Sequence, residues 1–366
     1  MIGLALSGGG SRAIAFHLGC LRALNDLDLL NQIGVISTIS GGSIIGAYYA
    51  YTPDKEWAVF ESEIRQILRK GFHNSIAFEI AKPANMIRCV GNLVATKIDG
   101  IVSGILKNQP RLHRFPSRTD MFHQVLKRDV YRDLRMNSPR RNDIEIVIGA
   151  CELRTGSAFR FGNVRSGGWR YGEMVKSDVD VAFAVAASAA YPLFLPAFDR
   201  TWVFRKNGEE RKHRVLITDG GVYDNLGIKV LEPGRNSEVS LHTYPCDFII
   251  SCNAGHGQDS GQAFPLSFLP RVSRSFEIVH RRVQDSAMSR LHQLKKNGDI
   301  KGFALPYLGQ QDDRLPWKPS HLVPRSEVIG YPTNFAAMSD GWVDRLSERG
   351  EQLMRALISQ YLPNIR

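Results

Sequence analysis

Three short glycine-rich segments of this chain carry the residue types needed for acyl transfer. They are Gly8-Gly9-Gly10-Ser11-Arg12, Ser40-Gly41-Gly42-Ser43 and Asp219-Gly220-Gly221. A serine hydroxyl can act as a nucleophile, consecutive backbone N–H groups can hold an oxyanion, and a carboxylate can accept the hydroxyl proton. Together the three segments predict a site for serine-dependent acyl transfer.

The serine segment follows an apparent buried strand. Residues 33–39 are mostly apolar and β-branched, and residues 44–52 predict a helix. A serine at such a junction, followed by small residues, forms a strained turn that lifts its hydroxyl above the sheet. We favour Ser40 as the nucleophile because Gly42 occupies the second position after it.

Two features of this segment leave alternatives open. The elbow pattern G-x-S-x-G has glycine two residues before the serine, where this chain has Thr38. Ser43 is a second candidate nucleophile, although it would lie inside the first helical turn. Taken alone, the segment also fits an ordinary Ser/Gly turn that caps a helix.

The glycine run joins a short apolar strand, residues 2–6, to a segment with apolar residues at helical spacing. Glycines before a helix expose N–H groups at its positive end, which suits a phosphate or an oxyanion. The Lys-Ser/Thr pair of a P-loop is absent. Gly8, Gly10 and Ala13 fit the dinucleotide pattern G-x-G-x-x-G/A, but no acidic ribose partner ends a second strand. The pattern therefore favours an oxyanion over a nucleotide.

The acidic segment follows the apolar residues 215–217. Asp219 could take a proton from Ser40 directly if the fold brings the two together. Partial burial would raise the pKa of this carboxyl toward neutrality and make it a stronger base. The alternative is a structural Asp-Gly turn after a strand.

These three motifs, in this order, resemble those of the patatin-like phospholipases. Residues 187–192 (Ala-Ser-Ala-Ala-Tyr-Pro) and 331–335 (Tyr-Pro-Thr-Asn-Phe) also resemble stretches of that family. The resemblance spans roughly residues 1–50 and 145–362, and it fades across 55–140. Three motifs in the right order are specific, whereas none of them would be specific alone.

The resemblance implies a Ser–Asp dyad without histidine, in which Ser40 is the nucleophile and Asp219 is the base. It also implies an oxyanion hole formed by the backbone amides of Gly8, Gly9 and Gly10. The supporting residues that it implies are Arg12, Gly42 and Gly220. No cofactor and no metal are expected. The chain departs from the family pattern at Ser7, Ala13 and Thr38.

The implied fold is α/β, a three-layer patatin-like sandwich with a central, mostly parallel sheet flanked by helices. We expect one patatin-like phospholipase domain over residues 1–366, with a helical insertion or lid at about 55–140. Pro83 predicts that the apolar residues 76–106 form two helices. Such helices could cap the site and bind lipid, or they could cover a sheet face or make an oligomer contact.

A Ser–His–Asp triad is the alternative to the dyad. Ser40, Asp219 and His256 would follow the order of the α/β-hydrolases. We prefer the dyad because the glycine run and the overall pattern fit it better.

Composition fits a globular protein. The chain has 366 residues, 43% hydrophobic and 23% charged. No apolar run reaches about 18 residues, so no membrane-spanning helix is predicted, and no signal peptide is evident. The five dispersed cysteines are interpreted as reduced side chains of a cytoplasmic protein, not as a disulfide frame or metal site.

The formal net charge of +11 and the pI near 9.5 favour anionic partners. No nucleic-acid-binding signature accompanies this charge, so we expect no nucleic acid partner. An anionic membrane surface is the better functional interpretation, with a peripherally membrane-associated protein. The alternative is a basic surface that serves solubility alone.

The sequence therefore predicts a lipid acyl hydrolase of the phospholipase A or lysophospholipase type, a serine carboxylic ester hydrolase acting through Ser40 and Asp219. Its expected partners are a phospholipid or lysophospholipid substrate and an anionic membrane, with a homo-oligomer or an activating partner as further candidates. A regulated, membrane-degrading effector is one form of this hypothesis. The alternative is a non-catalytic lipid-binding or regulatory protein on a degenerate hydrolase scaffold.

Overall fold

A computed structural model describes residues 1–366 except 53–55, 142, 177–178, 258–260, 262–263, 364 and 366. The strands are β1 Ile2–Leu6, β2 Ile33–Ile39, β3 Glu145–Glu152, β4 Ser157–Gly162, β5 Ser166–Gly168, β6 Gly172–Met174, β7 Phe198–Lys206, β8 Glu209–Asp219, β9 Phe248–Cys252 and β10 Gly302–Ala304. The helices are α1 Gly10–Asp26, α2 Gly41–Tyr51, α3 Trp57–Lys70, α4 His73–Ala81, α5 Pro83–Ile105, α6 Arg118–Leu126, α7 Val181–Ser188, α8 Gly221–Asp224, α9 Phe268–Asn297 and α10 Asp340–Tyr361.

Half of the sheet is parallel, in the order β10-β9-β1-β2-β3. Side chains alternate along each strand, so Leu4 and Leu6 enter one core while Ala5 enters a second core on the other face. Both faces are therefore covered, as parallel sheets require. The carboxyl ends of β1, β2 and β9 lie at one edge, and the loops that leave this edge build the candidate site.

The other half is antiparallel and runs from β3 through β4, β5, β6 and β7 to β8. β8 then pairs with β3, where Asp219 lies opposite Ala150, so this half closes on itself. The prediction of a mostly parallel sheet was therefore wrong. The short connections between β3 and β8, including the Asn207-Gly208 turn, allow hairpins but leave too few residues for most parallel crossovers.

The predicted insertion contains α3 to α6. Pro83 is the first residue of α5 and separates it from α4, as the sequence predicted. In α3, Phe60, Ile64 and Leu68 are buried, whereas most apolar side chains of α5 are exposed. No helix among the described residues is both long and apolar enough to cross a membrane.

Candidate active site

Ser40 lies between β2 and α2 in a backbone conformation that non-glycine residues rarely adopt. Its φ is 52° and its ψ is −118°. Such a conformation is strained, and it persists only where the surrounding structure imposes it. Here a Cβ on Gly42 would lie 2.3 Å from the Leu6 carbonyl oxygen, and one on Gly41 would lie 2.2 Å from the Gly10 carbonyl oxygen. The elbow therefore packs against β1 and the glycine run, and larger residues cannot follow Ser40.

Asp219 ends β8 and is 3% exposed. Its Oδ1 accepts a hydrogen bond from the Gly221 amide at 2.7 Å, and the Ser40 side chain lies close enough to lower the pKa of the carboxyl. Burial raises the pKa of Asp219 to about 7, although Gly221 and Ser40 oppose the shift. The structure thus brings the predicted nucleophile and the predicted base together, and it gives the base a pKa near neutrality.

Ser188, at the end of α7, is a site residue that the sequence did not assign a role. Its Oγ accepts a hydrogen bond from the Ser40 amide at 2.9 Å and lies 2.9 Å from the Ser43 Oγ. Its carbonyl accepts the Gly220 amide at 3.2 Å. Ser188 therefore joins the serine segment to the acidic segment. Ser43 is fully buried in this contact, which leaves Ser40 as the serine next to the acid.

The glycine run lies directly beside Ser40. A Cβ on Gly8 would lie 3.2 Å from the Ser40 Cβ, and the Gly8 amide donates to the Asn225 carbonyl at 3.1 Å. That amide is therefore engaged, contrary to its predicted place in an oxyanion hole. The Gly9 and Gly10 amides donate to no group in the described part of the chain. Gly9 has φ 147° and Gly10 has φ 61°, conformations that favour glycine.

Arg12 anchors the glycine run to the rest of the fold. It is buried, and it donates from Nε to the Ala254 carbonyl and from Nη1 to the Tyr331 carbonyl, both at 2.9 Å. Burial lowers the pKa of Arg12 to about 10, so the side chain stays charged at neutral pH. The Ser11 amide also donates to the Asn334 carbonyl at 2.7 Å. The C-terminal stretch 331–335 thus fixes the start of α1.

His280 of α9 lies beside the loop that follows Asp219. Its Nε2 would lie 3.3 Å from a Cβ on Gly221, the second residue after Asp219. Burial lowers the pKa of His280. The carbonyl of His256, the histidine of the alternative triad, accepts a hydrogen bond from Arg325 at 3.2 Å. No spacing in the sequence connected His280 to this site.

Comparison with known protein families matches residues 4–231 to "Patatin-like phospholipase". This stretch contains all three motifs and more than half of the chain. The chain belongs to the patatin-like phospholipase family. A search of curated proteins found no match for this family member.

Two solved structures of one human protein show the same fold. The patatin-like chain is similar to human GIVD cytosolic phospholipase A2, with a TM-score of 0.54 and 13% identity, covering 97% of this chain and 58% of that one. The same human protein in complex with methyl gamma-linolenyl fluorophosphonate gives a TM-score of 0.50 at 14% identity, covering 97% and 57%. VipD from Legionella pneumophila gives 0.41 at 14% identity, covering 98% and 67%. The chain thus spans little more than half of the human protein.

The structure accounts for the departure of this patatin-like chain at Thr38. Thr38 is buried, and its Cγ2 lies 2.5 Å from where a Cβ on Gly46 would be. The β-branched side chain of Thr38 therefore packs against α2. Gly46 of that helix has no side chain, and this leaves the room that Thr38 needs in place of the glycine of the elbow pattern.

Proposed function

We propose that this protein hydrolyses carboxylic ester bonds of membrane lipids, as a phospholipase A or lysophospholipase, through Ser40 and Asp219. One observation carries the proposal: a strained serine lies beside a buried carboxyl whose pKa is about 7. A carboxylate of ordinary pKa is a weak base, whereas one near neutrality matches general base catalysis at physiological pH.

In this proposal Asp219 removes the Ser40 proton as the hydroxyl oxygen attacks the ester carbonyl carbon. The tetrahedral oxyanion binds the Gly9 and Gly10 amides at the positive end of α1, where each donor contributes about 3 kcal/mol. The ester C–O bond then breaks, and the departing alcohol takes the proton from Asp219. Water activated by Asp219 hydrolyses the acyl-serine and releases the fatty acid.

A path of aromatic contacts that leads from the acid to an apolar surface supports a lipid substrate. His280 stacks on Phe276, Phe276 contacts Tyr191, and Tyr191 contacts Phe194, with ring centroids 5.9–6.0 Å apart. Other exposed apolar side chains follow on and before α9, namely Phe264, Leu266, Phe268, Val272 and Val279. α9 itself carries seven Arg or Lys residues and two acids. This combination suits an anionic lipid surface.

α5 presents a second apolar surface, here called the α5 stripe. Its members recur every three or four residues and are each more than half exposed: Ile87, Val90, Val94, Ile98, Ile101 and Ile105. This exposure argues against the alternative in which the helix covers a sheet face. Contiguous exposed apolar surface of this kind is typical of an interaction site. We assign it to the membrane, with a contact between two copies as the alternative.

Labelling with an alkyl fluorophosphonate tests the proposed chemistry. We expect modification of Ser40, mapped by mass spectrometry of the labelled peptide, at a rate that rises with pH through about 7 because Asp219 must be ionised. Ser43→Ala is the matched control and should still label. Absence of labelling in folded protein, with and without anionic vesicles, would support the non-catalytic lipid-binding hypothesis instead.

Labelling that requires vesicles would have a different meaning. Ser40 is only 7% exposed, so a lipid ester needs the site to open before it can reach the hydroxyl. This observation favours a regulated enzyme that a membrane or an activating partner opens. Vesicle-independent labelling at full rate would exclude the membrane as activator.

Vesicle sedimentation tests the α5 stripe. Ile98→Glu/Ile101→Glu should weaken binding to anionic vesicles by about tenfold or more, because two charges would have to enter the interface. Val164→Glu/Val239→Glu replaces two similarly exposed valines outside the insertion and should bind nearly as wild type. Unchanged binding of the first variant, with a loss of self-association in ultracentrifugation, would assign the stripe to a second copy.

A further inference from the structure

A buried cluster of one histidine and two cysteines lies beneath the glycine run. His17 and Cys20 are one turn apart on α1, and Cys252 ends β9. All three are fully buried, and the atoms that could bind a metal lie within 4.8 Å of one another. Because Cys252 is distant in sequence from the other two residues, no spacing motif predicted this cluster. The sequence analysis interpreted the cysteines as reduced side chains and not as a metal site.

The ring of His17 is oriented in a way that leaves one nitrogen facing this cluster. Its Nε2 hydrogen-bonds to the Ser7 carbonyl at 2.9 Å, and since a carbonyl only accepts, Nε2 carries the proton in neutral imidazole. Nδ1 is then an acceptor, yet it is buried without a hydrogen-bond partner in the described part of the chain. Metal-binding histidines have this arrangement, in which a backbone carbonyl holds one nitrogen and the other binds the ion.

We propose that His17 Nδ1, Cys20 Sγ and Cys252 Sγ bind one Zn²⁺. Two thiolates and an imidazole suit this ion, whose bonds of about 2.3 Å to sulfur and 2.0 Å to nitrogen place tetrahedral ligand atoms about 3.5–3.8 Å apart. The three side chains need to close by at most about 1 Å, since their ligand atoms already lie within 4.8 Å of one another. The Cys20 thiol donates to the Gly350 carbonyl at 3.5 Å, and it would give up this hydrogen bond on binding the ion. Binding releases the two thiol protons.

Such an ion would connect α1 and β9, the two elements on either side of the glycine run. The Ser7 amide donates to the Cys252 carbonyl at 3.1 Å, and the Ala254 amide donates to the Ser7 Oγ at 2.9 Å. Ala254 in turn accepts from Arg12. Zinc would thus join α1 to β9 directly below Gly8–Gly10. Because the ligands are fully buried, the ion would enter during folding and would exchange slowly from the native protein.

The test is metal content, measured after refolding the full chain from denaturant with Zn²⁺ and after desalting. We expect roughly one zinc per chain in wild type, and an unfolding midpoint at least about 3 °C above that of protein refolded with chelator. Cys20→Ala/Cys252→Ala should lose the zinc. Cys151→Ala/Cys246→Ala removes two buried cysteines outside the cluster and should retain it. Refolding with Co²⁺ should give thiolate-to-cobalt absorption in wild type and in this control only.

Wild-type protein decides the proposal even if the cysteine variants fail to fold. Refolded wild type without bound zinc, and with the same midpoint in zinc and in chelator, would overturn it. Equal zinc in both double variants would place the ion elsewhere. A Cys20–Cys252 disulfide in protein prepared without reductant but with zinc, detected by mass, would replace the metal site with a redox pair.

Discussion

Ser40→Ala is expected to lower the turnover of a phospholipid ester by about 10⁴- to 10⁶-fold, because no other group supplies the attacking oxygen. Folding should be unaffected, since alanine occupies the φ of 52° at a cost similar to that of serine. The measurement is fatty acid release from mixed vesicles, with circular dichroism and thermal unfolding as the check on folding. Ser40→Gly should be equally inactive but more stable than Ser40→Ala by roughly 1 kcal/mol, because glycine relieves the strain.

Ser43→Ala separates the two candidate nucleophiles. The Ser43 hydroxyl contacts Ser188, which positions the Ser40 amide, so its loss should reduce turnover by less than about tenfold. Retained activity in Ser40→Ala together with inactivity in Ser43→Ala would move the nucleophile to Ser43. Full activity in both variants would refute serine catalysis at this elbow.

Asp219→Asn has the second largest expected effect, because it acts on activity and stability in opposite directions. An amide cannot accept the Ser40 proton, so kcat/KM at pH 8 should fall by about 10³-fold or more. The wild-type kcat/KM should rise with pH as one group of pKa about 7 ionises. The residual kcat/KM of Asp219→Asn should not increase with pH in this way. A wild-type profile that is flat between pH 5 and 9 would contradict Asp219 as the base.

The stability of the two proteins should diverge with pH. The pKa of Asp219 is about 7 in the folded protein and near its ordinary value of 3.8 when unfolded. The folded state therefore binds a proton more tightly, and wild type loses on the order of 4 kcal/mol as pH rises from 4 to 7, a loss that persists above pH 7. Asp219→Asn removes this titration. In urea unfolding its stability relative to wild type should therefore be greater at pH 8 than at pH 4.

The sequence by itself determined the local structure on which the candidate site depends. Residues 2–6 and 33–39 are strands because their apolar, β-branched character suits burial on both faces. The small residues after Ser40 predicted that other backbone segments pack closely against this turn. Pro83 predicted the break between α4 and α5. Each of these features depends on neighbours in the chain, so motif and periodicity were enough to predict it.

Only the tertiary structure decided which distant groups meet. The pairing of β8 with β3 places Asp219 near Ser40, and it also made the mostly parallel sheet a wrong prediction. The Gly8 amide is occupied because it donates to the carbonyl of Asn225, which follows α8 and is distant in sequence. Ser188, His280 and the cluster of His17, Cys20 and Cys252 likewise arise from long-range packing. Such contacts depend on which surfaces the closed sheet and α9 bring together, and no local pattern of residues encodes that.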